Sequence, residues 1–149
     1  MTERERNQKA KQWLKRYGDS LTDIERLKAE LEHLTAKQEG AKAIQYTDMP
    51  RAPGIDGDLS DLFAQRDEIR RRIIKAMTRA NGIMAGVQAA IEQVQDPGER
   101  AVLSARYIQR LKWEDVAEAT YYSISWVYEV HGRALGSIYD IVFRNGNTG

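Results

Sequence analysis

Residues 99–144 read ERAVLSARYIQRLKWEDVAEATYYSISWVYEVHGRALGSIYDIVFR, and the placement of their apolar side chains decides the fold. Val102, Leu103, Tyr107 and Ile108 mark one side of a helix expected over Glu99–Arg110, with Leu111 closing it. A shorter pattern, Trp113–Ala119, turns Val116 and Ala117 inward, and Thr120, Tyr121 and Tyr122 break it. Ser123 then suits the N-cap of a helix reaching about Val142, whose inward stripe is Val127, Val130, Ala134, Ile138 and Ile141. A short helix, a three-residue break and a longer amphipathic helix are the parts of a helix-turn-helix. Such a pair offers the outward N-terminal positions of its second helix to a DNA major groove. Those positions are Ile124, Ser125, Tyr128 and Glu129, with Trp126 and Arg133 beside them; Lys112 and Ser123 complete the candidate DNA-binding set.

Upstream, Asp96-Pro97-Gly98-Glu99 ends one helix and starts the next. Asp96 can cap, Pro97 suits the first helical position, and Glu99 stands where a capping box places its acid. Before it lies a long stripe of Leu59, Leu62, Ile69, Ile73, Ala76, Ala80, Ile83, Val87, Ala90 and Val94, interrupted at Arg66. Its steps of three and four predict a helix of roughly 55 Å that starts near an Asp58 cap. A helix that long with one apolar side needs a partner. The first segment supplies one: Trp13, Leu14, Tyr17, Leu21, Ile24, Leu27, Leu31 and Leu34 stripe a helix from about Glu3 to Gln38, with Gly18 and Asp19 as a potential interruption. Pro50, Pro53, Gly54 and Gly57 mark a connector at about 40–57, to which Tyr46, Met49 and Ile55 add apolar side chains. The expectation is therefore an all-α chain. Residues 1–95 form an antiparallel, coiled-coil-like helical hairpin, 96–144 a helix-turn-helix bundle, and 145–149 a flexible tail. The surplus length of the hairpin predicts association with a second copy of the chain.

Composition narrows the function. The 149 residues contain no cysteine, which excludes disulfide and thiolate chemistry. No apolar run approaches a membrane span and the N-terminus is polar, so a cytoplasmic place in a bacterial host cell is expected, with no membrane partner. His33 and His131 lie in different segments and no third strong ligand stands at metal spacing. Asp56, Asp58 and Ser60 hint at a calcium loop, but its sixth position is Asp61 instead of Gly and its twelfth is Asp67 instead of Glu. No nucleophile–base pairing, paired-carboxylate arrangement or phosphate-cradling glycine loop can be singled out by spacing. The chain reads as a non-enzyme without cofactor or metal.

The run GERAVLSARYIQRLKWEDVAEA (98–119), continued by SISWVYEVHGRAL (123–135), resembles the promoter-reading fourth region of bacterial sigma factors. Together with the KQWLKRYGD start (11–19), the Tyr-Thr-Asp-Met-Pro connector (46–50) and the second long helix, it is similar to the sigma-like late transcription regulators of phages and prophages of Gram-positive hosts. The resemblance implies promoter-proximal binding of double-stranded DNA and contact with host RNA polymerase. Two departures stand out: Tyr121 where the family's turn usually carries Gly, disfavouring a left-handed backbone, and Thr120 where a core Leu is common. Other phage assemblies combine such a motif with helical oligomerisation, so a DNA-packaging adaptor similar to a terminase small subunit is a rival. A protein-interaction module that has lost DNA binding is another.

Several side chains admit two readings. Trp126 and Tyr128 suit thymine methyls or sugars, and equally suit packing against Tyr121, Tyr122 or a second copy. Glu129 can accept from cytosine N4 or simply be solvated. Lys112 and Arg133 suit phosphates, while Arg106 either serves the family position or pairs with Glu114 or Asp115. Arg70, Arg71 and Arg72 read as a solvated face before a phosphate patch. Glu99–Arg144 carries six basic and six acidic residues. A neutral module gains little non-specific affinity from phosphates, which favours two copies acting together or a protein partner.

Overall fold

The computed structural model of the chain describes residues 1–45 and 55–145, with side chains at 1–40 and 59–145. The heart of the expected connector (46–54, with its two prolines) and the last four residues of the expected tail lie outside the described residues. Among the described residues all regular structure is helical: α1 (Glu3–Gln45), α2 (Ile55–Gln93), α3 (Pro97–Leu103), α4 (Trp113–Thr120) and α5 (Ile124–Tyr139). Two π-helical turns, Ser104–Ile108 and Asp140–Arg144, continue α3 and α5.

The helix starts follow local chemistry, not always where expected. α1 opens on a reciprocal capping box: Glu5 N–H donates to Thr2 Oγ1 at 3.1 Å while Thr2 N–H donates to Glu5 Oε2 at 3.3 Å. α1 then runs unbroken through Gly18 and Asp19 and past Gln38 to Gln45. α2 starts at Ile55, so Asp58 lies inside its first turn and not at the position before it. Asp96 caps α3 as expected, its Oδ1 accepting from Gly98 N–H (2.7 Å) and Glu99 N–H (3.1 Å). The other half of the expected capping box is absent, because the Glu99 carboxylate accepts the Ser137 hydroxyl of α5 at 2.6 Å. Arg100 reaches back to the linker after α2 and donates to the carbonyls of Val94 (2.6 Å) and Gln95 (2.9 Å).

The chain divides into two compact units, Met1–Asp19 with Ala80–Gly149, and Ser20–Arg79. The division therefore falls inside both long helices instead of at residue 95. In the first unit, Ala10 and Leu14 of α1, Val87, Ala90 and Ile91 of α2 and Val94 just after it share one core with Leu103, Tyr107, Ala134, Leu135 and Ile138. The seam reaches the C-terminal helices because they cover it. A second cluster, Val102, Ala105, Val116, Val127 and Val130, ties α3, α4 and α5 together.

In the second unit, Leu27 and Leu34 of α1 pack with Ile69 and Ile73 of α2, flanked by Leu31, Leu62 and Ala76. Residues sharing a cleft pair in reverse order, 20–27 with 72–79 and 30–34 with 64–72, so the two segments are antiparallel. Arg66, the interruption in the stripe, donates to the side-chain oxygen of Gln38, which is 1% exposed. Gln38 Nε2 and Arg66 Nε are buried without a partner among the described residues.

A buried polar pair in an apolar seam adds little net stability, while breaking it strands the survivor. Arg66→Leu is expected to lower unfolding free energy by about 1–3 kcal/mol, because both ends of the Gln38 amide are then unpaired. The double variant Gln38→Leu/Arg66→Leu recovers that loss or exceeds wild type. Urea denaturation of the three chains checks this, and a double variant weaker than Arg66→Leu alone contradicts it.

Candidate nucleic-acid interface

The candidate surface is built on α4, the turn after it and the first turns of α5. α4 opens after Lys112, whose extended backbone (φ −67°, ψ 157°) forms the N-cap without a side-chain hydrogen bond. Val116, fully buried, anchors α4 beneath Val127 and Val130 of α5. Thr120, at the position where Leu was expected, returns its hydroxyl to the Val116 carbonyl at 2.8 Å and so leaves no polar group unmet.

Tyr121 ends α4 in the left-handed region, φ 61° and ψ 26°, a conformation that a non-glycine residue disfavours. The position keeps the conformation and accepts its cost, and the Tyr121 side chain is 96% exposed. Tyr122 N–H donates to the Ala117 carbonyl at 3.1 Å, closing the helix end. The Tyr122 ring turns inward, and its hydroxyl lies so near Gly98 that a Cβ there would stand 2.6 Å from it. Ser123 caps α5 as expected, accepting from Trp126 N–H at 3.2 Å.

All eight candidate residues, Lys112, Ser123, Ile124, Ser125, Trp126, Tyr128, Glu129 and Arg133, are exposed. The aromatic ones are not free-standing. Tyr128 sets its ring edge-on against Trp113 with centroids 5.3 Å apart, and the Arg133 guanidinium lies 5.2 Å over the Trp126 ring. Glu129 and Arg133 approach to 3.8 Å, an exposed pair of small energetic value. The surface therefore presents Ile124, Trp126 and Tyr128 as half-exposed apolar bodies, with Lys112 and Arg133 as its cations. Arg70, Arg71 and Arg72, in the other unit, are exposed and each meets Asp67 or Glu68 on its own helix, the solvated arrangement. The Arg71 guanidinium holds the Glu68 carboxyl below its usual range.

Beneath the surface lies a cluster that sequence reasoning missed. Trp113 stands edge-on to His131 at 4.7 Å, and the Arg106 guanidinium stacks on its ring at 4.3 Å. Arg106 also donates to the Leu111 carbonyl at 2.8 Å, the role it takes here in place of an ion pair with Glu114 or Asp115. His131 Nε2 and the Tyr107 hydroxyl are hydrogen-bonded at 2.7 Å within the core. Burial, assisted by the charges of Lys11 and Arg106, pushes His131 down to about 4, and burial pushes Tyr107 up to about 12. The signal was there to read: Tyr128 and His131 sit three apart on α5, one helical face, toward the aromatic that opens α4.

Among the described residues no group of three His, Cys, Asp or Glu is placed to hold a metal ion. The chain matches no family model, no curated protein and no solved structure.

Tyr121→Gly removes the left-handed penalty and no packing, while glycine returns part of the gain as backbone entropy. The variant is expected to be more stable by about 0.5–1 kcal/mol in thermal unfolding; a loss of stability contradicts the assigned cost.

His131 supplies a pH dependence. Above about 6.5 it is neutral in the folded and unfolded chain alike, and its contribution is fully present. As pH falls below that value the unfolded chain takes up the proton first, so stability is lost until the folded-state value of about 4 is reached. The full loss is about 3 kcal/mol at most, at 1.36 kcal/mol per pKa unit. His131→Gln is expected to lack this pH dependence, so that the unfolding free energy of wild type falls relative to that of the variant as pH drops across this window. A constant difference from pH 7 to pH 4 contradicts a buried neutral imidazole.

Proposed function

We propose that this chain is a DNA-binding transcription regulator of phage type, which positions or recruits RNA polymerase through a sigma-like helix-turn-helix. In this reading α4, the Tyr121 turn and α5 are the helix-turn-helix, and Ile124, Ser125, Tyr128 and Glu129 face the major groove. Trp126 lies alongside, while Lys112 and Arg133 meet phosphates. The antiparallel α1–α2 segments act as the hairpin through which two copies associate, a pairing that would supply phosphate contacts a single neutral module lacks. The chain performs no chemistry.

One observation carries the proposal: the buried side of α5 is apolar at Val127, Val130, Ala134, Leu135 and Ile138, with His131 its one polar member and hydrogen-bonded to Tyr107, while every candidate contact residue is exposed at or before the first turns of that helix. That division is what a groove-reading helix requires. Among the described residues no helix is long and apolar enough to cross a membrane.

A second reading has its own support. Tyr121, Ile124, Trp126 and Tyr128 are 38–96% exposed, and aromatic side chains with few charges are the composition of a protein-binding patch. Under it the same surface docks a protein and has lost DNA binding. A packaging adaptor related to terminase small subunits would share the helix-turn-helix but assemble as a ring.

Binding of the full chain to fragments of its source genome at two salt concentrations separates these. Specific binding that weakens with salt, and that Tyr128→Ala/Arg133→Ala reduces by at least about tenfold, is expected. No binding at low salt by a folded chain removes the DNA reading in favour of protein docking. A ring by light scattering, with stimulation of a packaging ATPase, favours the adaptor.

A further inference from the structure

The second unit contains a cation cluster that the α5 surface does not explain. Arg72, Lys75 and Arg79 stand on α2 at intervals of three and four, one face of the helix. Arg26 of α1 joins them because the two segments run antiparallel, and the four line one cleft of about 280 Å³ with Asp23 as the sole carboxylate. Leu27 and Ala76 line it as well, and both belong to the apolar seam. Four positive groups against one negative are thus gathered in a chain whose net charge is only +1.

The cluster is poorly neutralised by its own helix. Neither Lys75 nor Arg79 has an acidic residue three or four positions away, and Lys75 instead has Arg71 and Arg79 as neighbours at four. Like charges at that spacing repel. Arg72 is bonded to Glu68 through its Nε at 3.3 Å, and Glu68 does not line the cleft. Small Ala76, between Lys75 and Arg79 on the lining, leaves the room that a larger residue would fill.

We propose that this cleft binds a phosphoryl group, held by the forked guanidinium donors of Arg26, Arg72 and Arg79 and the Lys75 ammonium. The group belongs either to a small phosphorylated molecule or to a nucleic-acid backbone; the chemistry recognised is the same. The site is independent of the α5 surface, with which it shares no residue.

The test is a titration of the full chain, followed by the Nε–Hε resonances of its arginines, at constant ionic strength. One arm uses inorganic phosphate, the other a short DNA duplex with the Tyr128→Ala/Arg133→Ala chain, which removes the α5 contacts. Saturable shifts of Arg26, Arg72 and Arg79 with a common midpoint, while Arg4 and Arg144 stay still, are expected in at least one arm. Saturation by phosphate assigns a small-ligand site, and saturation by duplex alone assigns a backbone contact. Lys75→Gln/Arg79→Gln is expected to weaken that binding by about tenfold or more without lowering the thermal midpoint, since it also removes a like-charge pair. Shifts in neither arm, or equal shifts at all arginines, overturn the site and leave the α5 proposal as it stood.

Discussion

An apolar stripe on a long helix has to be covered, and how this chain covers it determines the rest. α2 spans 39 residues, about 58 Å at the helical rise. In the first unit its stripe, Val87, Ala90 and Ile91, continued by Val94 just after the helix, is met by Ala10 and Leu14 and then capped by Leu103, Tyr107, Ala134 and Ile138. Each fully buried Leu, Ile or Val contributes about 1.5–3 kcal/mol relative to exposure. α5 is therefore fixed by its inner face before its outer face meets anything. The result is an outer face of α5 whose orientation is set by packing within its own unit.

The same economy governs polar groups. Asp96 satisfies the start of α3, Arg100 the linker after α2, and Thr120 its own helix. Glu99 leaves the cap it was expected to complete and takes the Ser137 hydroxyl instead, linking α3 to α5 across 38 residues of sequence. The Gln38–Arg66 pair is the exception, with two buried nitrogens unmet among the described residues. An incompletely paired position inside a seam adds specificity of register more readily than stability.

Periodicity made much of this legible. All ten stripe residues from Leu59 to Val94 are buried or half-buried, as their spacing required, and Val127, Val130, Ala134 and Ile138 lie on the inner face of α5. A stripe states which side must be covered but not by what, so the division inside both long helices was invisible. Gly18, a potential interruption on propensity alone, lies inside α1, which runs through it unbroken. Thr2-x-x-Glu5 carries the spacing of the capping box it forms, whereas the equivalent spacing at Asp96 yields only half of one. The candidate surface was legible in its exposure; the Trp113–His131–Tyr107 cluster beneath it needed three-dimensional proximity between residues up to 24 positions apart.

Arg110 shares with Tyr121 a feature rare outside glycine: φ of 60° and 61°. These two left-handed joints bracket α4, whose eight residues are too few to persist as a helix alone. Its survival rests on burial of Val116 and on Trp113. α4 is thus the segment with the smallest margin against local opening, and its amides are the natural place for early hydrogen exchange in the first unit. A surface that includes Lys112 at one end of α4 and Ser123 just beyond the other inherits that margin, so a ligand bridging α4 and α5 would slow exchange most where it is fastest.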